Sequence, residues 1–177
     1  GYTGYKNARC GRIEAHEAIC AWARVILLQT IAIAEEEGWT VLHAIVDCVW
    51  IHRDDVSRQE KQKLAERFSN RVSQEIGIPL EYEDLYHFIG FLPSRIHGAG
   101  SLTKYWAYGE KGLKIRGIES RQHSTCNWIK NLQSMALQIL VDCVKDGIDV
   151  RNKHVQNVIC HLLHDELIKL NRNQICL

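Results

Sequence analysis

Three groups of residues in the chain have types and spacings that could do chemistry. The first is a single carboxylate. The run from Trp39 to Ile51 is β-branched and aromatic, and its one charge is Asp47. A carboxylate inside a mostly apolar strand is costly unless it is paired or bound to a cation. Asp47 therefore reads either as a metal ligand at a hairpin tip or as a turn residue accepting backbone N–H bonds. One carboxylate does not hold Mg²⁺ alone, so a second ligand would have to come from elsewhere. The second group is the amino-terminal block Gly1-Tyr-Thr-Gly-Tyr-Lys-Asn-Ala-Arg-Cys-Gly-Arg12. Tyr2 and Tyr5 can stack, Gly1 and Gly4 allow close backbone approach, and Lys6 and Arg9 add charge, which suits a nucleotide or phosphate partner. An ordinary surface loop has the same composition. The third group is Thr103-Lys104-Tyr105 followed by Arg116-Gly117-Ile118-Glu119-Ser120-Arg121. With Lys111 and Lys114 it makes a locally basic hairpin. That is either an edge tracking a phosphate backbone or a solvated edge strand protected by lysines.

These residues need elements to position them. The pattern predicts a long helix over 12–37, with Ala15, Ile19, Trp22 and Ile26 on one apolar stripe and Gly38 as its left-handed cap. Three glutamates, Glu35 to Glu37, oppose the helix dipole there, so the last turn is expected to fray. The run 39–51 is too long for one strand and predicts two strands around a hidden tight turn. Ser57 and Glu60 form a capping box, and Leu64, Phe68, Val72 and Ile76 continue at helical spacing to Gly77. Residues 79–92 read as strand, 93–101 as loop, and 103–109 with 113–118 as a hairpin around Gly109-Glu-Lys-Gly112. Two helices follow. The first covers 125–146, with Leu132, Met135, Ile139 and Cys143 on one face and Gly147 as cap. The second covers 150–171, capped by Asp149, with Ile159, Leu163, Leu167 and Leu170 in line. The fold class is α+β, an antiparallel sheet layer with packed helices and then a small all-α piece from about residue 120.

Composition limits the alternatives. The 177 residues are 46% hydrophobic with only two prolines, enough for a core and against disorder as the main state. Lys and Arg total 22 against 21 Asp and Glu, so a nucleic-acid surface has to be a local patch. No apolar run is read as reaching the ~18–20 residues of a membrane span, and Trp39–Ile51 is taken as the longest. No signal peptide is visible. The chain opens at Gly1-Tyr2 without Met, which reads as a fragment, a processed chain or a trimmed piece. Seven cysteines at wide spacing, without Cys-x-x-Cys, predict buried free thiols in a reducing cytoplasm. His154, Cys160, His161 and His164 have metal-binding chemistry but no second ligand pair in sequence.

In this order and spacing the three groups resemble the carboxy-terminal palm and thumb of family B DNA polymerases, nearest a divergent archaeal lineage with eroded active-site motifs. Gly1-Tyr-Thr-Gly-Tyr5 resembles the end of the fingers motif, and Glu14 to Arg24 the palm helix after it. Val41 to Trp50 falls on the Tyr-Gly-Asp-Thr-Asp-Ser metal-binding hairpin. Thr103-Lys104-Tyr105 falls on the Lys-Lys-x-Tyr element, and Arg116-Gly-Ile-Glu119 on the Arg-Gly-Leu/Ile-Glu segment leading into the thumb. The resemblance implies a palm part over 1–119, with the tail of the fingers motif at 1–9, and a partial helical thumb over 120–177. It implies Asp47 as catalytic metal ligand. Lys104, Tyr105, Arg116, Gly117, Glu119 and Arg121 become DNA-binding residues, and Gly1, Tyr2, Gly4, Tyr5, Lys6 and Arg9 contact nucleotide or template. The implied partners are Mg²⁺ or Mn²⁺, primer–template DNA, a deoxynucleoside triphosphate and the missing amino-terminal polymerase half, with no membrane.

The departures from the family pattern are specific. Ile45, Val46 and Cys48 replace the first aspartate, the threonine and the serine of the hairpin. One lysine of the Lys-Lys-x-Tyr element remains, and Gln122-His123-Ser124 stands where relatives are more basic. Two-metal nucleotidyl transfer takes at least two carboxylates, and this chain offers one. It is therefore expected not to extend a primer by itself. The other reading is a catalytically silent, polymerase-derived module for DNA binding or scaffolding.

Overall fold

The computed structural model describes residues 2–5, 7–9, 11–94 and 98–169. Internal contacts divide the chain into two units, Gly1–Glu83 and Asp84–Leu177.

The first unit is built on α1 (Ile13–Glu36), the hairpin β1 (Thr40–Ile45) and β2 (Cys48–His52), and α2 (Arg58–Ile76). Ile33, Ala34, Trp39, Phe68 and Val72 form its buried centre, with Val41, Val49, Ile51, Leu64 and Leu80 packed around them. The expected stripe on α1 differs from what is packed. Only Thr30, Ile33 and Ala34 of that helix are buried, while Ile19 is 52% exposed and Trp22 75% exposed. The two strands do not reach the amino-terminal half of α1, so the core uses only its last turns. By length and composition α1 is also the one described helix long and apolar enough to cross a membrane. The expectation that Trp39–Ile51 is the longest apolar stretch is therefore corrected, since α1 carries a longer one interrupted by Arg24, Gln29 and Thr30. Arg24 is the only charge between Ala18 and Ala34.

The carboxyl end of α1 is held rather than frayed. Arg71 of α2 reaches Glu36 at 3.0 Å, Glu37 at 3.2 Å and Glu75 at 2.6 Å. Arg53 donates from Nη1 to the Glu37 carbonyl at 2.9 Å, and its guanidinium lies 5.3 Å from the Trp39 ring centroid. Two cations thus offset the glutamates that oppose the dipole. Gly38 takes φ +83° and turns the chain into β1. The capping box at Ser57 forms in both directions, and Gly77 ends α2 at φ +77°.

Residues 77–85 hold no strand. The Leu80 N–H bonds the Ser73 hydroxyl at 2.8 Å, and that hydroxyl donates to the Ser69 carbonyl at 2.7 Å. The segment is fastened to α2 instead of to a ladder, so the expected strand begins only at Tyr86.

The second unit holds an antiparallel sheet in the order β3 (Tyr86–Pro93), β4 (Gly100–Gly109), β5 (Gly112–Arg116), then α3 (Asn127–Lys145) and α4 (Lys153–Lys169). Trp106, Ile118, Leu137 and Val141 form its core, with Phe88, Leu92, Tyr108, Ile115 and Val144 around them. Phe88 stacks on Trp106 at 4.9 Å between centroids. The face of α3 that packs is set by Leu137 and Val141. Met135, expected on that face, is 43% exposed. Helix α3 thus shares a core with the sheet, and the packing division lies at Glu83/Asp84, whereas the sequence pattern placed a boundary between the sheet layer and the helical piece near residue 120. Asn152 supplies the side-chain cap of α4, its Oδ1 accepting from the His154 N–H at 2.9 Å. Asp149, the expected cap, accepts instead from the N–H of Arg151 at 2.9 Å within the preceding turn. Leu163 and Leu167 are exposed rather than buried, and Leu170 lies outside the described residues.

Candidate metal and nucleic-acid site

Asp47 sits in the two-residue turn between Ile45 and Cys48, which close the hairpin as a pair. The expected hidden turn is there, but the premise of a buried carboxylate is not met. Asp47 is exposed and takes part in no described hydrogen bond or ion pair. Its neighbour Val46 has φ +49°, the one positive φ at a non-glycine among the described residues. That sign at the first turn position belongs to a II′-type hairpin, where glycine is the ordinary choice. A β-branched residue in the left-handed region stores about 1–2 kcal/mol. The tip thus presents Asp47 to solvent on a strained backbone.

No group of three or more His, Cys, Asp or Glu able to hold a metal ion is assembled among the described residues. Asp47 alone does not fit a metal pair, so any such centre takes carboxylates from outside the described residues. Of the five described cysteines, all are free, and Cys20, Cys126 and Cys160 are exposed rather than buried as expected. Cys20 and Cys160 sit on faces of α1 and α4 that the two cores do not use, and Cys126 lies in extended backbone just before α3.

The amino-terminal block folds into short turns against the start of α1. Tyr2–Gly4 is a 3-10 turn. The Ala8 N–H bonds the Tyr5 carbonyl at 3.0 Å, and Thr3 Oγ1 lies 3.5 Å from Nδ1 of His16. Tyr2 and Tyr5 are 66% and 61% exposed, and Arg9 is exposed, so aromatic faces and a cation are presented outward. Gly4 is also exposed. Gly1 and Lys6 lie outside the described residues.

The basic hairpin places its charges by strand alternation. Tyr105 pairs with Arg116, and Ala107 with Lys114. Trp106 and Tyr108 alternate with these residues and enter the core. Tyr105 is buried and packs near Phe91, 5.7 Å between centroids, so its ring supports the strand. Arg116 and Arg121 are exposed cations. Gly117 lies between them at φ +64°, where a Cβ would collide with the Thr103 carbonyl oxygen. Only glycine lets β5 turn there into the 3-10 turn Glu119–Arg121.

Glu119 is placed differently from the expectation that it contacts DNA. Its carboxylate accepts from Gln133 Nε2 of α3 at 3.2 Å and lies 3.5 Å from Lys104 Nζ of β4. Its own backbone N–H, then Gln133, then the Lys104 charge hold this carboxyl below the usual carboxylate range. Through these contacts Glu119 holds Lys104 and ties the 3-10 turn to α3. Gln133 was not legible as a partner. The only signal is a polar residue beside buried Leu132 on α3.

No protein-family model matches the chain. Curated proteins do. DNA polymerase 2 of Saccharolobus solfataricus is 38% identical over 95 residues, 54% of this chain and 14% of its own length. DNA polymerase 2 of Aeropyrum pernix is 30% identical over 160 residues, 90% of this chain and 18% of its own length. The chain is similar in sequence to archaeal DNA polymerases. The DNA polymerase of Methanocaldococcus jannaschii aligns over 171 residues at 26% identity, 96% of this chain and 10% of its own length. The matches agree with the resemblance drawn from the motifs, and the chain spans less than a fifth of the length of these polymerase relatives.

Proposed function

We propose that the chain is the carboxy-terminal palm and partial thumb of a family B DNA polymerase, with palm over 1–119 and thumb over 120–177. It binds primer–template DNA through Arg116, Arg121 and Lys104, and Tyr2, Tyr5 and Arg9 face nucleotide or template. Asp47 is its contribution to a Mg²⁺ or Mn²⁺ centre completed by carboxylates of the remaining polymerase, and the chain does not extend a primer alone. The setting is cytoplasmic replication, with a deoxynucleoside triphosphate as the substrate of the complete enzyme. The observation that carries this reading is the similarity to archaeal DNA polymerases along 90% and 96% of the chain. The exposed Asp47 tip and the exposed Arg116 and Arg121 are compatible with it.

The test is fluorescence anisotropy of a labelled primer–template duplex across a salt series. Binding with a log–log slope of about −2 to −4 is expected, and Arg116→Ala and Arg121→Ala each flatten it by about one. Lys104→Ala has a smaller effect because Glu119 already shares its charge. No binding at low salt by the folded chain overturns the DNA assignment. A silent binding or scaffolding module is the second reading, favoured by Ile45 and Cys48 at hairpin positions where the family has an aspartate and a serine. A saturable Mn²⁺ site lost in Asp47→Ala would argue against it.

A further inference from the structure

The start of α1 holds a pair of metal-ligating side chains that the proposed polymerase function does not use. His16 and Cys20 stand one helical turn apart, so both project from the same side of the helix. The same spacing lets two histidines of a helix share one zinc ion, and here cysteine takes the second place. The two side chains already meet. Cys20 Sγ lies 3.8 Å from Nε2 of His16. A tetrahedral zinc ion, with bonds of about 2.3 Å to sulfur and about 2.0–2.1 Å to nitrogen, holds those two atoms about 3.6 Å apart. The pair therefore accepts such an ion with little movement.

The rest of the imidazole is placed as well. Nδ1 of His16 lies 3.5 Å from Thr3 Oγ1. With its proton on Nδ1, the ring donates to that hydroxyl and turns the Nε2 lone pair toward Cys20. Metal-bound histidines are oriented by an outer partner in this way. Gly4 rests against the same ring, where a Cβ would stand 3.2 Å from Cγ of His16. His16 is half-buried and Cys20 is exposed. The turn thus steadies the imidazole while the sulfur side stays open for an ion to enter. A thiolate and a neutral imidazole suit zinc, whereas carboxylate oxygens such as those of Asp47 suit Mg²⁺. No third His, Cys, Asp or Glu joins the pair among the described residues.

We propose that His16 Nε2 and Cys20 Sγ form a zinc site at the start of α1, with the two remaining tetrahedral positions open to water or an added ligand. Binding releases the Cys20 thiol proton to solvent and transfers no electron. The ion fixes the ring against which Thr3 and Gly4 lie, so it fastens the Tyr2–Gly4 turn to the helix. The proposal is independent of DNA binding and of the centre assigned to Asp47.

The reduced full chain is titrated with Co²⁺, which reports thiolate ligation through a sulfur-to-metal charge-transfer band, and the Co²⁺ is then displaced with Zn²⁺. One saturable site is expected, unaffected by excess Mg²⁺. Cys20→Ser should abolish the band and His16→Ala should abolish saturation. Thr3→Ala, which removes only the outer partner of the imidazole, should weaken binding about tenfold. Cys160→Ser should leave the titration unchanged, although Cys160 and His164 repeat the spacing on α4. Circular dichroism checks that the helices persist in each variant. In parallel, iodoacetamide labelling read by peptide mass spectrometry should show Zn²⁺ protecting Cys20 and neither Cys126 nor Cys160. Zn²⁺ should also slow tryptic cleavage after Arg9 in the parent chain but not in Cys20→Ser, and binding without this protection overturns the fastening of the turn. A band that survives Cys20→Ser, or that is lost in Cys160→Ser, overturns the site in favour of other ligands. Protection of Cys20 that persists in His16→Ala overturns the pair, and a folded chain without saturable binding overturns the proposal outright.

Discussion

Glu119 and Gly117 decide whether the basic hairpin keeps its shape. Glu119 is favoured in its ionised form by the fold, with a carboxyl below the usual range of about 4.3. A depressed carboxyl contributes stability that is present above the unfolded pKa and lost as pH falls through the folded one. Urea midpoints should therefore drop between about pH 5 and pH 3, and in Glu119→Gln that drop should be shallower. Because Glu119 is 40% exposed, solvent screening keeps the difference modest. Gly117→Ala is a harsher change. It forces a Cβ toward the Thr103 carbonyl at a left-handed φ, with an expected loss of about 1–3 kcal/mol in denaturant unfolding. The same variant displaces Arg116 and Arg121, so its duplex affinity should fall more than Arg116→Ala alone. Neither role was legible beforehand. The motif gave Glu119 a DNA contact, and the carboxylate's partners lie on elements 14 and 15 residues away.

At the scale of elements, the β1–β2 hairpin carries a built-in strain that can be relieved. Val46→Gly removes a β-branched side chain from φ +49°. After the extra entropy of glycine in the unfolded chain, a net gain of about 0.5–1 kcal/mol is expected, read as a higher thermal midpoint. A loss would mean that the exposed Val46 side chain contributes more than its backbone costs. The order of elements, the hidden turn at Val46–Asp47, the capping box and the glycine caps were legible, because each depends on residues close in sequence. The packed faces of α1, α3 and α4 were not. Helical spacing gives an apolar stripe, but only tertiary packing decides whether a neighbour covers it, as Met135 and Trp22 illustrate. The strand expected from residue 79 failed for a related reason. The Ser73 hydroxyl captures the Leu80 N–H, and alternation of Leu80 and Tyr82 with glutamates cannot reveal that.

At the scale of the whole chain, two cores form from separate stretches of sequence. One centres on Phe68 and Val72, the other on Trp106 and Val141. Phe68, 2% exposed, is the most deeply buried aromatic residue of the first. Phe68→Ala should cost about 3–5 kcal/mol there. Native-state hydrogen exchange would then show lost protection in α1, β1, β2 and α2, with β4 and α3 amides unchanged. Uniform loss in both sets would mean that the two cores open together. The exposed Trp22 also has a spectroscopic consequence. Trp39 and Trp106 are each only 5% exposed, whereas Trp22 is 75% exposed. Its emission should be red-shifted and readily quenched by acrylamide beside that of the two shielded indoles. A blue shift on mixing with any binding partner, absent in Trp22→Phe, would make this one side chain an intrinsic optical reporter of whatever covers α1.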